Sequence, residues 1–257
     1  MEYGLIGEKL GHSFSKPIHE RLAEYEYEIT PLTREAFKEF MNKRAFKGIN
    51  VTIPYKSEVI PYLDEIDEKA LKIGAVNTVV KRAGKLIGFN TDVLGFQYTL
   101  EHNSIAVEGK KVIVLGNGGA SKAVIAALEL GNVREILIVK HRKSEGILTY
   151  EECMNNHSDA EIIINTSPVG MYPNIDESPI DLSFYPHCTA VIDIIYNPVK
   201  TKLLLQAEEL GKQAVNGMEM LIAQAKYAVE IFLNKEIPDS EIAIIHRETL
   251  NNYKDKN

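Results

Sequence analysis

Lys56 closes the run Asn50-Val51-Thr52-Ile53-Pro54-Tyr55-Lys56. The pattern predicts a strand and then a helix opened by Pro54, which places the lysine in the first helical turn, where the backbone dipole disfavours a cation. The same field eases loss of the proton, which suits a general acid and base. A solvated surface lysine is the plain alternative. Farther on, residues 75–81 and 85–90 flank Arg82-Ala83-Gly84, predicting a β-hairpin with a three-residue connection and positive φ at the glycine. Pairing Lys81 with Lys85 sets Asn77 opposite Phe89 and leaves Asp92 just past the strand end. Asn77 and Asp92 then share one open end, an amide to orient a hydroxylated substrate and a carboxylate to pair with a lysine. Their architectural readings are a strand-edge amide and the N-cap of a helix over 93–100. In Gly11-His12-Ser13-Phe14-Ser15-Lys16-Pro17, an extended chain would point the hydroxyls of Ser13 and Ser15 the same way. This segment reads equally as capping residues.

A second chemistry begins at Val112-Ile113-Val114-Leu115, which leads into Gly116-Asn117-Gly118-Gly119-Ala120 and a helix from Ser121 to Leu130, ended by Gly131. Glycines there allow a tight turn and let backbone N–H groups approach a pyrophosphate at the helix N-terminus. An ordinary glycine-rich βα turn carries the same letters. The following strand ends in Lys140-His141-Arg142-Lys143. An NAD site usually carries an acid there for the ribose hydroxyls, whereas these cations suit a 2′-phosphate, so NADP is the expected cofactor. Read plainly, the run is a solvated basic loop. Asn165-Thr166-Ser167-Pro168 follows a third strand at its carboxyl end, where ligands sit in open α/β sheets.

Positioning these groups takes two bodies. Apolar runs at 112–115, 136–139, 162–164, 191–195 and, more weakly, 214–215 are separated by about 15 to 25 residues of helix-like sequence, the rhythm of a doubly wound parallel sheet. The first hundred residues read as a smaller α/β unit with strands at 3–6 and 49–53, a helix after Pro17, and a helix from Arg34 to Arg44 capped by Thr33. After Gly217 a long helix runs to about Asn234, with Leu221, Ile222, Ala225, Ala228, Val229 and Phe232 on one stripe, expected to pack back on that unit. The fold class is therefore α/β with two domains: a substrate domain over 1–101 plus 217–257, completed by C-terminal helices, and a Rossmann-like NADP domain over 102–216. A chain of 257 residues with 45% hydrophobic and 25% charged residues can bury a real core. Its net charge of −7 argues against nucleic acid or an anionic membrane as the main partner. No apolar run approaches a membrane span, and the start lacks the order of a secretory signal, so a cytoplasmic location is expected. Cys153 and Cys188 lie in unrelated contexts, which predicts reduced structural thiols and no metal site.

Taken together, GHSFSKP, NVTIPYK, GAVNT, GFNTD, LGNGGASKA, NTSPVGM, DIIYNPVKT and NGMEMLIAQ resemble, in order, the motifs of the shikimate dehydrogenase family. The resemblance implies reversible hydride transfer between NADPH and 3-dehydroshikimate to give shikimate, a step of chorismate and aromatic amino acid biosynthesis. Lys56 would be the proton donor and Asp92 its partner. Ser13, Ser15, Thr52, Asn77, Tyr196 and Gln224 would hold the substrate. Gly116, Asn117, Gly118, Gly119 and Ala120 would take the pyrophosphate, and Ile194 and Gly217 would lie beside the nicotinamide; Lys140 and Arg142 are expected at the 2′-phosphate from their charge, not from the resemblance. On a helical wheel Gln224 falls at the margin of the apolar stripe. Two positions depart from the family pattern: Lys140-His141-Arg142 stands where Asn-Arg-Thr is usual, and Asn117 where Ala is common. The rivals are an NAD-preferring quinate/shikimate dehydrogenase and a sensor without turnover. A monomer or homodimer is expected.

Overall fold

The computed structural model describes residues 1–10, 14–142 and 144–254. Two compact units divide the chain, Met1–Phe96 with Leu221–Asn257, and Gln97–Met220.

The first unit holds β1 (Tyr3–Gly7), α1 (Ser15–Leu22), β2 (Tyr27–Pro31), α2 (Arg34–Lys43), β3 (Gly48–Val51), β4 (Glu65–Ile66), α3 (Glu68–Ile73), β5 (Thr78–Arg82), β6 (Lys85–Phe89) and the start of α4 (Thr91–His102). Its six strands lie in the order β2-β1-β3-β5-β6-β4. The strands β1, β2 and β3 are parallel, β5 is antiparallel to both β3 and β6, and β4 runs with β6. Successive residues of one strand face opposite sides. Thus Ile6 and Val79 pack with Phe37, Met41 and Tyr55, while Leu5 and Val80 pack with Tyr27, Ala228 and Phe232. Both faces are covered, as a largely parallel sheet requires. Thr33 caps α2 by accepting from the Ala36 N–H at 3.3 Å.

Two local expectations are corrected. The hairpin connection has two residues, not three: Arg82 pairs with Lys85 and Thr78 with Phe89. Ala83 and Gly84 take φ of 47° and 82°, the double positive φ of a turn whose twist matches the flanking strands. That gain outweighs the cost of a left-handed alanine, and it shifts Asn77 by one position. After β3, residues 53–59 form successive turns followed by a short 3-10 turn at Ile60–Tyr62. Lys56 is therefore not in the first turn of an α-helix, and the dipole argument for it does not apply.

The second unit holds β7 (Lys111–Leu115), α5 (Gly119–Leu130), β8 (Glu135–Val139), α6 (Tyr150–Asn156), β9 (Ile162–Asn165), β10 (Ala190–Asp193), α7 (Lys202–Glu209) and β11 (Gln213–Asn216). Its sheet is parallel throughout, in the order β11-β10-β9-β7-β8. The chain goes outward from β7 to β8 and returns to β9 on the other side, so the strand order reverses between β7 and β9. Ile113, Leu115, Ile163 and Val191 anchor the core with Leu203 and Leu204. One expected crossover helix is missing: among the described residues, 166–189 contains only the 3-10 turn Leu182–Phe184. Pro168, Pro173, Pro179 and Pro186 remove the donors that a helix there would need. The long helix α8 (Met218–Leu233) and then α9 (Ser240–Lys254) complete the chain. The divisions between the two units fall inside α4 and α8.

Candidate active site

In the first unit the strand directions gather chemistry at one sheet edge. Because β1 and β3 run parallel and β5 opposes both β3 and β6, the carboxyl ends of β3 and β6 meet the start of β5. Thr52, Lys56, Asn77 and Asp92 belong to the segments that emerge there. Hydrogen bonds close the last three into a ring: the Val76 N–H donates to the Lys56 carbonyl at 2.7 Å, the Thr91 N–H donates to Asn77 Oδ1 at 2.7 Å, and Lys56 Nζ donates to Asp92 Oδ2 at 2.6 Å. Chain neighbours Val76-Asn77 and Thr91-Asp92 supply the remaining links.

The lysine and aspartate side chains are only 15% and 12% exposed. Desolvating each ion costs several kcal/mol, so a pair in such a place adds little net stability. Asp92 lies in the first turn of α4, inside the helix and not at its N-cap, and the dipole there favours a carboxylate.

Thr52 is half-buried and held by its N–H on the Ile6 carbonyl at 2.9 Å. Ser15 is the first residue of α1, and Phe14 before it is helical in backbone angle, so the extended geometry expected for this segment is not seen. Ser13 lies outside the described residues. Gln224, half-buried on α8, donates to the Leu221 carbonyl of its own helix at 2.8 Å. Among the described residues no hydrogen bond joins it to Lys56 or Asp92.

In the second unit the carboxyl ends of the parallel strands lead into Gly116, Lys140, Thr166, Ile194 and Gly217. The β7 loop stands at the reversal of strand order, the usual ligand position of such sheets. Gly116 has φ of 106°, and a Cβ on it would stand 2.8 Å from Thr166 Oγ1 and 3.0 Å from the Ser167 nitrogen. Gly118 is the N-cap of α5, with no side chain capping the helix, and a Cβ on it would meet nothing within 4 Å. Asn117 and Gly118 are exposed, Gly119 and Ala120 half-buried. Open space over uncapped N–H groups at a positive helix end fits a dinucleotide pyrophosphate.

Lys140 is half-buried and Arg142 exposed at the end of β8, with the His141 ring 4.8 Å from that of Tyr150. Lys143 lies outside the described residues. Gly217 is forced by close approach: a Cβ there would collide with the Ile194 carbonyl. Burial raises the phenol of Tyr196 above its ordinary range.

Polar residues that the sequence reading passed over hold these segments. Asp193, fully buried, accepts from Thr201 Oγ1 at 2.7 Å, Asn165 Nδ2 at 3.0 Å and the Ile195 N–H at 3.1 Å. Burial pushes its carboxyl up to about 6. It ties the loops after β9 and β10 to the start of α7. In the first unit, Asn50, Thr78 and Thr91 surround Asn77. The available signal was a polar residue set inside an apolar strand, as in Ile49-Asn50-Val51 and Ile192-Asp193-Ile194.

Residues 5–79 match the shikimate dehydrogenase substrate binding domain. The shikimate dehydrogenase (NADP(+)) of Clostridium beijerinckii is 41% identical over 247 residues, covering 90% of this chain and 91% of that protein. Among solved structures, a chorismate mutase/shikimate 5-dehydrogenase fusion protein from Clostridium acetobutylicum superposes with a TM-score of 0.94 at 38% identity over 98% of each chain. Shikimate 5-dehydrogenase from Thermus thermophilus, in complex with NADP(H) and shikimate, gives 0.85 at 28% identity over 96% of this chain and 99% of that one. With its substrate-domain motifs, its parallel dinucleotide-type sheet and relatives that cover 90% or more of it, the chain belongs to the shikimate dehydrogenase family.

Proposed function

We propose that Lys56, held by Asp92, carries the proton in the reversible reduction of 3-dehydroshikimate to shikimate. The enzyme is an NADP-dependent shikimate dehydrogenase, an oxidoreductase of aromatic biosynthesis. When bound, NADPH supplies the hydride to the ketone carbon. As negative charge develops on the ketone oxygen, Lys56 delivers its proton there, and in the reverse direction it withdraws the proton of the hydroxyl. Asp92 keeps the ammonium in place and accepts from a substrate hydroxyl with its other oxygen. Ser13, Ser15, Thr52, Asn77, Tyr196 and Gln224 hold the ring hydroxyls and the carboxylate. Gly116, Asn117, Gly118, Gly119 and Ala120 would take the pyrophosphate, Lys140 and Arg142 the 2′-phosphate, with Ile194 and Gly217 beside the nicotinamide. The single observation that carries the proton assignment is the mostly buried Lys56–Asp92 pair at 2.6 Å, hydrogen-bonded through its neighbours to Asn77. The protein works in the cytoplasm as a monomer or homodimer on a small-molecule substrate. Among the described residues no helix is long and apolar enough to cross a membrane.

The test is nicotinamide absorbance with shikimate or quinate, each with NADP or NAD. Turnover is expected with shikimate and NADP. Equal rates with NAD would contradict the 2′-phosphate assignment, and no turnover with any pair would favour a sensor. The double variant Lys140→Ala/Arg142→Ala is expected to raise KM for NADP about tenfold or more, since each lost charge-assisted bond is worth roughly a factor of ten, while KM for NAD changes little. A parallel loss with both cofactors would place these cations elsewhere.

A further inference from the structure

The amide of Asn77 is oriented by a chain of hydrogen bonds, most of whose directions are forced. Tyr27 Oη lies 2.7 Å from Asn50 Oδ1. Asn50 Nδ2 lies 3.2 Å from the Asn77 carbonyl, which can only accept, so this Asn50 atom is the nitrogen. Its other N–H meets Thr78 Oγ1 at 3.0 Å. Thr78 Oγ1 accepts there, and its single proton points to Asn77 Oδ1, 2.9 Å away, in preference to the Thr91 hydroxyl at 3.2 Å. The Thr91 N–H, which can only donate, reaches the same Oδ1 at 2.7 Å. With the Thr91 hydroxyl also 3.2 Å from it, that oxygen is surrounded by donors and its two lone pairs are filled. Thr91 Oγ1 then takes one N–H of Asn77 Nδ2, at 3.1 Å. Asn77 therefore has one N–H still to give and no acceptor capacity.

Tyr27, Asn50, Thr78 and Asn77 are at most 5% exposed. Burying so many polar groups costs free energy unless every one is satisfied. An apolar strand pair would hold the sheet together equally well, so the network needs a role that an apolar pair lacks, and a fixed amide orientation is such a role.

We infer that Thr78 and Asn50 are positioning residues that turn the Asn77 carbonyl inward, so that Asn77 meets the substrate as a single N–H donor, specific for a substrate oxygen that accepts. The inference rests on the reading of Asn77 as a substrate contact. It adds a direction to that contact and names the side chains that set it. The lone pair of a ring hydroxyl is a suitable partner, and an ammonium or amide N–H at the same ring position would be rejected.

The test is steady-state kinetics on the full-length protein, with KM for shikimate, KM for NADP and kcat measured separately and folding followed by thermal melting. Asn77→Ala checks the underlying reading: an unchanged KM for shikimate would remove Asn77 from the substrate site, whatever Thr78 does. With that reading intact, Thr78→Val is expected to raise KM for shikimate about fivefold to tenfold, the size of a lost buried hydrogen bond, with KM for NADP unchanged. Thr78→Ser, which restores the donor, should return KM to within about twofold of the wild type. A Thr78→Val protein that folds and keeps the wild-type KM for shikimate overturns the inference, as does failure of Thr78→Ser to rescue. Tyr27→Phe, which removes only the hydroxyl at the head of the chain, carries the test if Thr78→Val does not fold. It is expected to raise the same KM about threefold, and an unchanged value overturns the inference.

Discussion

Lys56→Ala is expected to lower kcat for shikimate oxidation by about a hundred- to ten-thousand-fold, the range for loss of a positioned general acid and base. KM for NADP should stay close to the wild-type value, because the glycine loop and the cations at the end of β8 belong to other segments. The expectation follows from geometry. The Lys56 ammonium is 2.6 Å from the Asp92 carboxylate, and both are tied by backbone bonds to the strand ends that carry Asn77. Lys56→Arg is not expected to rescue, since a guanidinium holds its proton at any working pH and its fork does not occupy the place of a compact ammonium. Asp92→Asn keeps the shape but weakens the hold on the lysine, so it should cost less than Lys56→Ala. Folding serves as the control: Lys56→Ala leaves the mostly buried Asp92 without its partner, at a cost of about 1–3 kcal/mol, which thermal melting can detect. Undiminished kcat in Lys56→Ala would remove the lysine from its role.

Acid should destabilise the protein largely through His19. This side chain has no solvent exposure. Nδ1 is 2.8 Å from the Tyr25 hydroxyl, Nε2 is buried with no partner among the described residues, and the ring stacks 4.0 Å from that of Tyr27. A protonated imidazole needs an acceptor at each nitrogen, and burial lowers the pKa from 6.5 to about 3. The unfolded chain therefore binds a proton that the folded one refuses. Stability from this group is complete above pH 6.5 and lost progressively as pH falls toward 3, a total on the order of 5 kcal/mol. That is comparable to the whole stability of a small domain, about 5–15 kcal/mol. Asp193 acts with the opposite sign. Its carboxyl is raised from 3.8 to about 6, so its contribution is present at low pH and falls as pH rises through that interval. His19→Phe keeps the stacking and removes the titration. Its unfolding free energy should depend less on pH between 3 and 6.5 than that of the wild type, while at pH 7 it loses about 1 kcal/mol for the Tyr25 bond. Equal pH dependence in both proteins would clear His19.

What the sequence made legible is what depends on short range. Strands in Val112-Ile-Val-Leu115 and its successors, the Gly116 loop, the helix ended by Gly131 and the Thr33 cap all follow from local stereochemistry, and they are where the letters place them. The stripe on α8 was readable as well, and Ala228 and Phe232 do pack on the sheet of the first unit. Competition between nearly equal local solutions was not readable. Ala83 takes a positive φ that its type disfavours, because a two-residue turn suits the twist of the strands, and the register moves by one. Pro54 is a local signal for a helix start, but the chain passes through turns instead. Asn77 and Asp92 stand out from their shared strand end. Asn50, Thr78 and Thr91 do not, because their importance lies in contacts between strands that are distant in sequence. Asp193 was hidden for the same reason: its partners Asn165 and Thr201 come from separate loops.

The central claim is that Lys56 and Asp92 act as one proton-handling unit, and a double-mutant cycle on kcat for shikimate oxidation tests it most directly. Four proteins are compared: the wild type, Lys56→Ala, Asp92→Ala and the double variant. Groups that act as a unit lose their effect together, so the double variant is predicted to be no slower than Lys56→Ala alone. Losses that multiply, with the double variant slowed by the product of the two single effects, would contradict the account.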